Sequence, residues 1–142
     1  MMNIHRGLTT DDGTEIPWQI SPAALKSLVG PDCLSMVKRD YFVARCRLFG
    51  GLDVKLGFHF SGKTLQEFEI FRNWVMPLEQ SYAEFQQHLE AVFGQPTQTI
   101  PGDIDSGCDC GFAHHEWRFG HTRVRHFVLD RFGCEEHVRI TK

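Results

Sequence analysis

The chain has 142 residues and a net charge of −3, from 15 Lys and Arg against 18 Asp and Glu with eight neutral His. This length fits a single domain over residues 1–142, and 42% hydrophobic with 23% charged residues excludes a disordered or fibrous chain. The small negative charge argues against a protein that grips nucleic-acid phosphates, and no apolar run approaches the roughly 20 residues of a membrane span.

The first predicted elements are a short strand and a short helix. A turn over residues 11–13 precedes 16–20, where apolar residues alternate as they do in a half-buried strand. Ser21 is a favoured helix cap and Pro22 fits the first helical position, so we expect a short helix over 23–29.

Three strands are predicted in the middle of the chain. Residues 41–49, 52–60 and 64–72 alternate apolar with polar side chains, which is the period of strands with one solvated face. Gly50-Gly51 suits a tight turn between the first two strands, and residues 61–63 suit a turn between the last two. This stretch therefore predicts an antiparallel meander.

A longer helix is predicted over 82–93, where aromatic and aliphatic residues fall on one stripe. Ser81 and Glu84 match the S-x-x-E capping box, and Gly94 suits the end of the helix. Residues 95–111 are rich in Gly, Pro and Asp, and we expect them to form a long loop.

Strands over 113–119, 122–130 and 134–141 close the predicted chain. Runs of strands joined by short turns are typical of an α+β fold. We expect an antiparallel sheet of about six strands with one long and one short helix packed on one face.

One stretch has the letters of a phosphate-binding loop, because Gly57-x4-Gly62-Lys63-Thr64 fits G-x-x-x-x-G-K-[ST]. Such a loop wraps its N–H groups around phosphates at the start of a helix. Residues 58–61 instead continue the alternation of the strand before them. We therefore interpret the motif as a hairpin turn.

The cysteines bear on the expected compartment. The chain lacks the apolar stretch of a secretory signal after His5 and Arg6, and its number of cysteines is odd. Both features predict reduced thiols in a cytoplasmic protein rather than a disulfide framework. The five residues are Cys33, Cys46, Cys108, Cys110 and Cys134.

A candidate metal site lies near the third and fourth of these cysteines. Cys108 and Cys110, followed by His114 and His115, offer the thiolate and imidazole donors that Zn²⁺ prefers. Adjacent residues of a strand point to opposite faces, so only one His can join, and the candidate set is Cys108, Cys110 and His114. The spacing matches no standard zinc motif, and a loop with two reduced thiols is the simpler interpretation.

No pattern in the chain indicates catalysis. Five Cys and eight His allow many Cys–His pairs, but spacing does not show which of them touch. The chain has no nucleophile elbow, and the carboxylates at Asp11, Asp12 and Glu15 are explained by a turn. We therefore expect a protein that is not an enzyme and uses no cofactor.

Charge is distributed unevenly along the chain. Residues 73–116 contain seven acidic and no basic residues, whereas 38–72 and 117–142 each carry a charge of +3. An acidic surface attracts a cationic partner and speeds its association, although a solvated face that maintains solubility is the alternative interpretation. The candidate partner-binding residues are Glu84, Glu90, Asp103, Asp105 and Asp109.

The end of the chain carries a resemblance to a known family. A short capped helix follows Trp18-x-Ile20, and the chain closes with the hairpin residues Trp117-Arg118-Phe119-Gly120 and Arg131-Phe132-Gly133-x-Glu135-Glu136-His137. This layout resembles small bacterial immunity proteins that neutralise a cognate toxin or secreted effector.

The resemblance implies a non-enzymatic, cytoplasmic inhibitor without an active site of its own. Such a protein would mask a basic surface of a toxin with its acidic 73–116 segment. The alternative is a small zinc-binding protein that uses Cys108, Cys110 and a nearby His. An exposed strand edge would also allow a homodimer.

Overall fold

The structure is a computed structural model that describes residues 2–103, 105 and 107–142. The described residues form ten strands and two helices. In chain order these are β1 (Gly7–Thr9), β2 (Glu15–Pro17), α1 (Pro22–Val29), β3 (Leu34–Lys38), β4 (Tyr41–Leu48), β5 (Leu52–Ser61), β6 (Thr64–Arg72), α2 (Leu78–Phe93), β7 (Gln98–Ile100), β8 (His114–Phe119), β9 (Thr122–Asp130) and β10 (Cys134–Thr141).

Eight strands form one antiparallel sheet in the order β3-β4-β5-β6-β10-β9-β8-β7, and β1 pairs with β2 separately. The α+β class, the antiparallel sheet and the two helices are therefore confirmed, but about six strands was too few. The edge strands β3 and β7 were missed because they are short and mostly exposed, so their side chains show no alternation of apolar with polar residues.

The hydrophobic core lies between one face of the large sheet and the two helices. On β5, the predicted alternation is confirmed, since Leu52, Val54, Leu56, Phe58 and Phe60 are all buried. The core also takes in apolar residues from α1, α2 and the β1–β2 hairpin: Leu25, Phe85, Leu89, Leu8 and Ile16. The opposite face of the sheet carries mainly polar side chains, and we call it the open face.

The two helices differ in how well their starts were predicted. Ser21 caps α1 as expected, and its hydroxyl accepts a hydrogen bond from the backbone N–H of Ala24 at 3.1 Å. The capping box predicted at Ser81 is wrong, because α2 begins one turn earlier, after Pro77. Ser81 lies buried inside the helix and uses its hydroxyl for tertiary contacts instead. Within the described residues, no helix is long and apolar enough to cross a membrane.

The interpretation of residues 57–64 as strand and turn is confirmed. The β5 strand runs through Ser61, and β6 pairs with it from Thr64 onward. Gly57 serves a packing purpose on the open face, where a Cβ atom at this position would lie 2.9 Å from the ring of Tyr41. The absence of a side chain therefore lets Tyr41 lie across the neighbouring strand.

Candidate functional site

The loop between β7 and β8 carries the three aspartates of the predicted partner surface. The Asp109 carboxylate accepts backbone hydrogen bonds from Asp103, at 3.0 and 3.1 Å, and from Gly111, at 2.9 Å. A carboxylate oxygen of Asp103 accepts the N–H of Asp105 at 3.0 Å. The acidic side chains thus organise this loop as well as giving it negative charge.

This loop is fastened to the turn between β9 and β10. Cys110 forms a disulfide with Cys134, with 6.2 Å between the Cα atoms, and the N–H of Asp130 donates to the carbonyl oxygen of Cys108 at 3.0 Å. The expectation of reduced thiols is therefore wrong for Cys110 and Cys134. The two cysteines are 24 residues apart, and only the folding of two hairpins against each other brings them together.

Two exposed aromatic side chains lie at the same end of the sheet. Phe132, in the β9–β10 turn, is 95% exposed. Trp74 lies two positions beyond the end of β6 and is 63% exposed, while its indole N–H donates to Asp53 at 3.0 Å. Because β6 runs antiparallel to β10, β6 ends on the side of the sheet where β10 begins. We call the group formed by Trp74, Phe132, Asp103, Asp105 and Asp109 the acidic end.

The structure places the two predicted glutamates on α2 rather than in this loop. Glu84 accepts a hydrogen bond from the guanidinium of Arg72 at 2.9 Å, which compensates its charge. Glu90 is half-buried on the second half of α2. The five predicted residues are therefore divided between a helix and a loop.

A sixth carboxylate of the acidic segment, Glu116, is also compensated. It is buried on the open face of the sheet and pairs with Arg118 at 2.8 Å and with Arg123 at 3.4 Å. The −7 charge that the sequence assigns to residues 73–116 is consequently spread over three places. Three of the seven carboxylates, the loop aspartates, lie together at one end of the sheet.

The open face carries a second polar cluster. Tyr41 stacks on His59 with 4.1 Å between ring centroids, and His59 Nε2 lies 2.5 Å from a carboxylate oxygen of Glu69. Arg139 lies 3.5 Å from Glu69 and 3.8 Å from Glu67, across the neighbouring strand. The cluster therefore pairs its charges internally, which is the usual role of cross-strand ion pairs.

A shallow groove of about 540 Å³ borders this cluster, and the β10 residues from Glu135 to His137, together with Arg139, form part of its lining. Arg139 donates to His137 Nδ1 at 3.3 Å, so neutral His137 carries its hydrogen on Nε2. That atom is buried and has no hydrogen-bond partner among the described residues. Burial lowers the pKa of His137, which keeps the ring neutral near pH 7.

Beneath α2 lies a buried polar network that joins the helix to the sheet. Ser81 accepts from the Nε of Arg72 at 2.7 Å and donates to Glu136 at 2.5 Å, and the other oxygen of Glu136 lies 2.6 Å from His126 Nε2. His126 is fully buried and stacks on Tyr82 with 4.0 Å between centroids. Burial lowers the pKa of His126 and so favours the neutral ring.

This network contains Ser, His and Glu but lacks the order that serine catalysis requires. In a catalytic triad, the His lies between the Ser and the carboxylate so that it can take the hydroxyl proton. Here Glu136 lies between Ser81 and His126, and the Ser81 side chain is buried. The arrangement instead holds α2 against the sheet.

The predicted zinc set is not assembled in the structure. Cys110 is bonded to Cys134, and His114 stacks on Phe127 with 5.0 Å between centroids, on the open face. Two groups of potential metal ligands occur among the described residues, and neither contains Cys108 or His114. They are Cys110, Asp130 and Cys134, and His59, Glu67 and Glu69.

The sequence reasoning missed both aromatic residues of the acidic end. Phe132 belongs to the turn Arg131-Phe132-Gly133, where an apolar side chain has no strand face to join. Trp74 and Val75 lie between β6 and α2, outside any periodic segment. Both positions could have been found in the sequence as large apolar residues in short connections, because connections run over the surface and expose such side chains.

Comparisons with known proteins found no matching family model, no matching curated protein and no matching solved structure.

Proposed function

We propose that this chain is a non-enzymatic binding protein that uses the acidic end to bind a protein partner with a basic surface. The observation that carries the proposal is the joint placement of Trp74 and Phe132 with the loop aspartates at one end of the sheet. Exposed aromatic residues supply most of the binding energy in many interfaces, and surrounding charges set the encounter rate and the specificity.

The local charges support a basic rather than an acidic partner. Asp103, Asp105 and Asp109 lie within seven consecutive positions of an exposed loop, whereas the nearby Arg131 pairs with Glu135 at 3.3 Å. The positive charge of Arg131 is therefore paired within its own hairpin. The negative charge of the loop can consequently act on an approaching partner.

A bacterial immunity protein is the kind of binding protein that we favour, in keeping with the resemblance of the closing hairpin. An inhibitor of this kind works by covering a surface of its toxin, and it needs a rigid binding face rather than catalytic groups. The backbone hydrogen bonds accepted by Asp109 hold the acidic loop in place before a partner arrives. A cytoplasmic location belongs to the same proposal, and so does a homodimer, for which the exposed edge strands β3 and β7 offer pairing sites.

The proposal is tested with the product of the neighbouring gene as the partner. We expect that product to be a secreted toxin, and the Asp103→Lys and Asp105→Lys double variant to bind it at least roughly tenfold more slowly at low salt. Surface-immobilised binding kinetics at low and high salt measure the effect.

A matched control changes the net charge by the same amount elsewhere. Glu15→Lys with Asp32→Lys alters two exposed carboxylates in β2 and after α1. This control variant is expected to keep the association rate within about twofold of the parent. An equal slowing in both double variants, or no slowing in either, would contradict a role for the acidic end.

A further inference from the structure

Three potential metal ligands converge where the acidic loop meets the β9–β10 turn. The sulfur atoms of Cys110 and Cys134 and a carboxylate oxygen of Asp130 all lie within 4.8 Å of one another. Cys110 comes from the β7–β8 loop, whereas Asp130 ends β9 and Cys134 begins β10. Two separate hairpins therefore contribute to one small cluster.

The backbone holds this cluster together independently of the sulfur–sulfur bond. The N–H of Asp130 donates to the carbonyl oxygen of Cys108 at 3.0 Å, and the N–H of Phe112 donates to that of Asp109 at 3.0 Å. The Asp109 carboxylate also accepts the N–H of Gly111, next to Cys110. The bond from Asp130 to Cys108 joins the two hairpins without involving the sulfur atoms, and the other two bonds fix the shape of the loop next to Cys110.

The donor set is suited to zinc. Thiolate sulfur with a carboxylate oxygen is a ligand combination that Zn²⁺ accepts at a tetrahedral site, whereas Mg²⁺ and Ca²⁺ require oxygen ligands. Three protein ligands leave one position for water. The other cysteine within the sheet, Cys46, does not compete, because burial raises the pKa of its thiol to about 12.

The second group of potential ligands, on the open face, is a weaker candidate. Its carboxylates, Glu67 and Glu69, already face the guanidinium of Arg139 at 3.8 and 3.5 Å. A metal ion there would have to displace the guanidinium of Arg139, which lies on the neighbouring strand β10. Among the described residues, no cationic side chain forms an ion pair with Asp130, and the disulfide shows that the fold brings Cys110 and Cys134 next to each other.

We propose that Cys110, Cys134 and Asp130 bind Zn²⁺ when the disulfide is reduced, so that the disulfide and the metal are alternative ways of fastening the acidic loop. A thiol reductant such as glutathione supplies two electrons and two protons, forms its own disulfide and leaves two protein thiols. Zn²⁺ then replaces one proton on each thiol, and both protons go to solvent.

The test uses Co²⁺ and Zn²⁺ salts as probes of the purified full chain, in oxidised form and after reduction with a phosphine. The reduced protein is expected to bind about one equivalent of Co²⁺ with a thiolate-to-metal charge-transfer band that Zn²⁺ abolishes. The oxidised protein is expected to show no such band. Affinity should fall as the pH is lowered, because protons compete for the thiolates.

Variants separate the proposed ligands from other thiols. Under reducing conditions, Cys134→Ser and Asp130→Asn are each expected to weaken metal binding by roughly 100-fold or more, compared with a change of less than about twofold in Cys33→Ser. Circular dichroism of each reduced variant confirms that the sheet is intact. Absence of the band in reduced parent protein, or equal affinity in Cys134→Ser, would overturn the proposal and leave a structural disulfide only.

This inference is independent of the proposed partner, since the probes are metal ions alone. The metal titration uses protein with Asp103 and Asp105 intact, so loss of partner binding by the charge variants does not decide its outcome. A failed metal titration likewise leaves the kinetic test of the acidic end intact.

Discussion

Two polar regions of the molecule use their charged groups differently. In the network beneath α2, each oxygen of Glu136 has a protein partner, and His126 is completely buried. At the acidic end, Phe132, Asp103 and Asp105 are exposed to solvent. Charge along the chain therefore does not reveal which carboxylates form ion pairs within the fold, because Glu84 and Asp105 belong to the same acidic segment.

We expect the network beneath α2 to contribute more to the stability of the fold than the acidic end does. Glu136→Ala removes the acceptor of the Ser81 hydroxyl hydrogen and the partner of His126 Nε2, so each of these buried groups loses one hydrogen bond. We expect the free energy of unfolding to fall by about 3–5 kcal/mol, measured by urea denaturation. Glu135→Ala, at the adjacent half-buried position on the other face of β10, should cost less than about 1 kcal/mol. Equal losses of unfolding free energy in Glu136→Ala and Glu135→Ala would contradict the larger contribution of the network.

The disulfide that joins the β7–β8 loop to the start of β10 should make the next largest contribution to stability. The Cys110→Ser and Cys134→Ser double variant opens a loop of 24 residues, and its free energy of unfolding is expected to fall by about 2–4 kcal/mol without added metal. Amide hydrogen exchange in residues 107–112 should become faster than exchange beneath α2. Cys33→Ser, an exposed position outside both regions, is the control, and the same loss there would contradict the assignment.

The pH dependence of stability should follow the buried histidines rather than the acidic end. Burial lowers the pKa of His126 and of His137 below the usual 6.5. Below that pH, these two rings are therefore protonated to a greater extent in the unfolded chain than in the folded chain. Their contribution is complete above about pH 6.5 and is lost as the pH falls below that value.

Melting temperatures across this range check the sign. The melting temperature of the parent should fall between about pH 6.5 and pH 5.5, and His137→Gln should show a smaller fall. His121→Gln changes an exposed ring in the β8–β9 turn and should leave the slope as it is in the parent. A melting temperature that rises on acidification would contradict neutral, buried rings.

Strong periodicity made part of the fold predictable from the sequence. The alternation in β5 and the stripe of α2 predicted both elements, because each buries one continuous face. The strand order could not be predicted, since β10 pairs with β6 across the 61 positions that separate the two strands, as well as with its neighbour β9. Nothing local in the chain encodes a pairing over that distance.

The candidate site was predictable only as a loop of acidic residues. The three aspartates of the loop were identified from charge, but the ion pair of Glu84 with Arg72 depends on β6 lying against α2. The disulfide similarly depends on the contact between two hairpins. Ser81 was misassigned because a hydroxyl at a capping position can bond to a neighbouring element instead, which tertiary packing decides.

Of the changes considered, Phe132→Ala is expected to alter stability least. It therefore tests most directly whether the acidic end differs from the network beneath α2. Phe132→Ala removes a side chain that is 95% exposed, so the free energy of unfolding should change by no more than about 0.5 kcal/mol. If Phe132 anchors the proposed partner, the same variant should weaken binding to the product of the neighbouring gene by at least roughly 30-fold, which corresponds to about 2 kcal/mol. Met36→Ala, a similarly exposed apolar truncation on the edge strand β3, should leave both quantities unchanged. A destabilised Phe132→Ala variant with intact binding would assign the aromatic ring to the fold, and the acidic end would then resemble the network beneath α2 rather than differ from it.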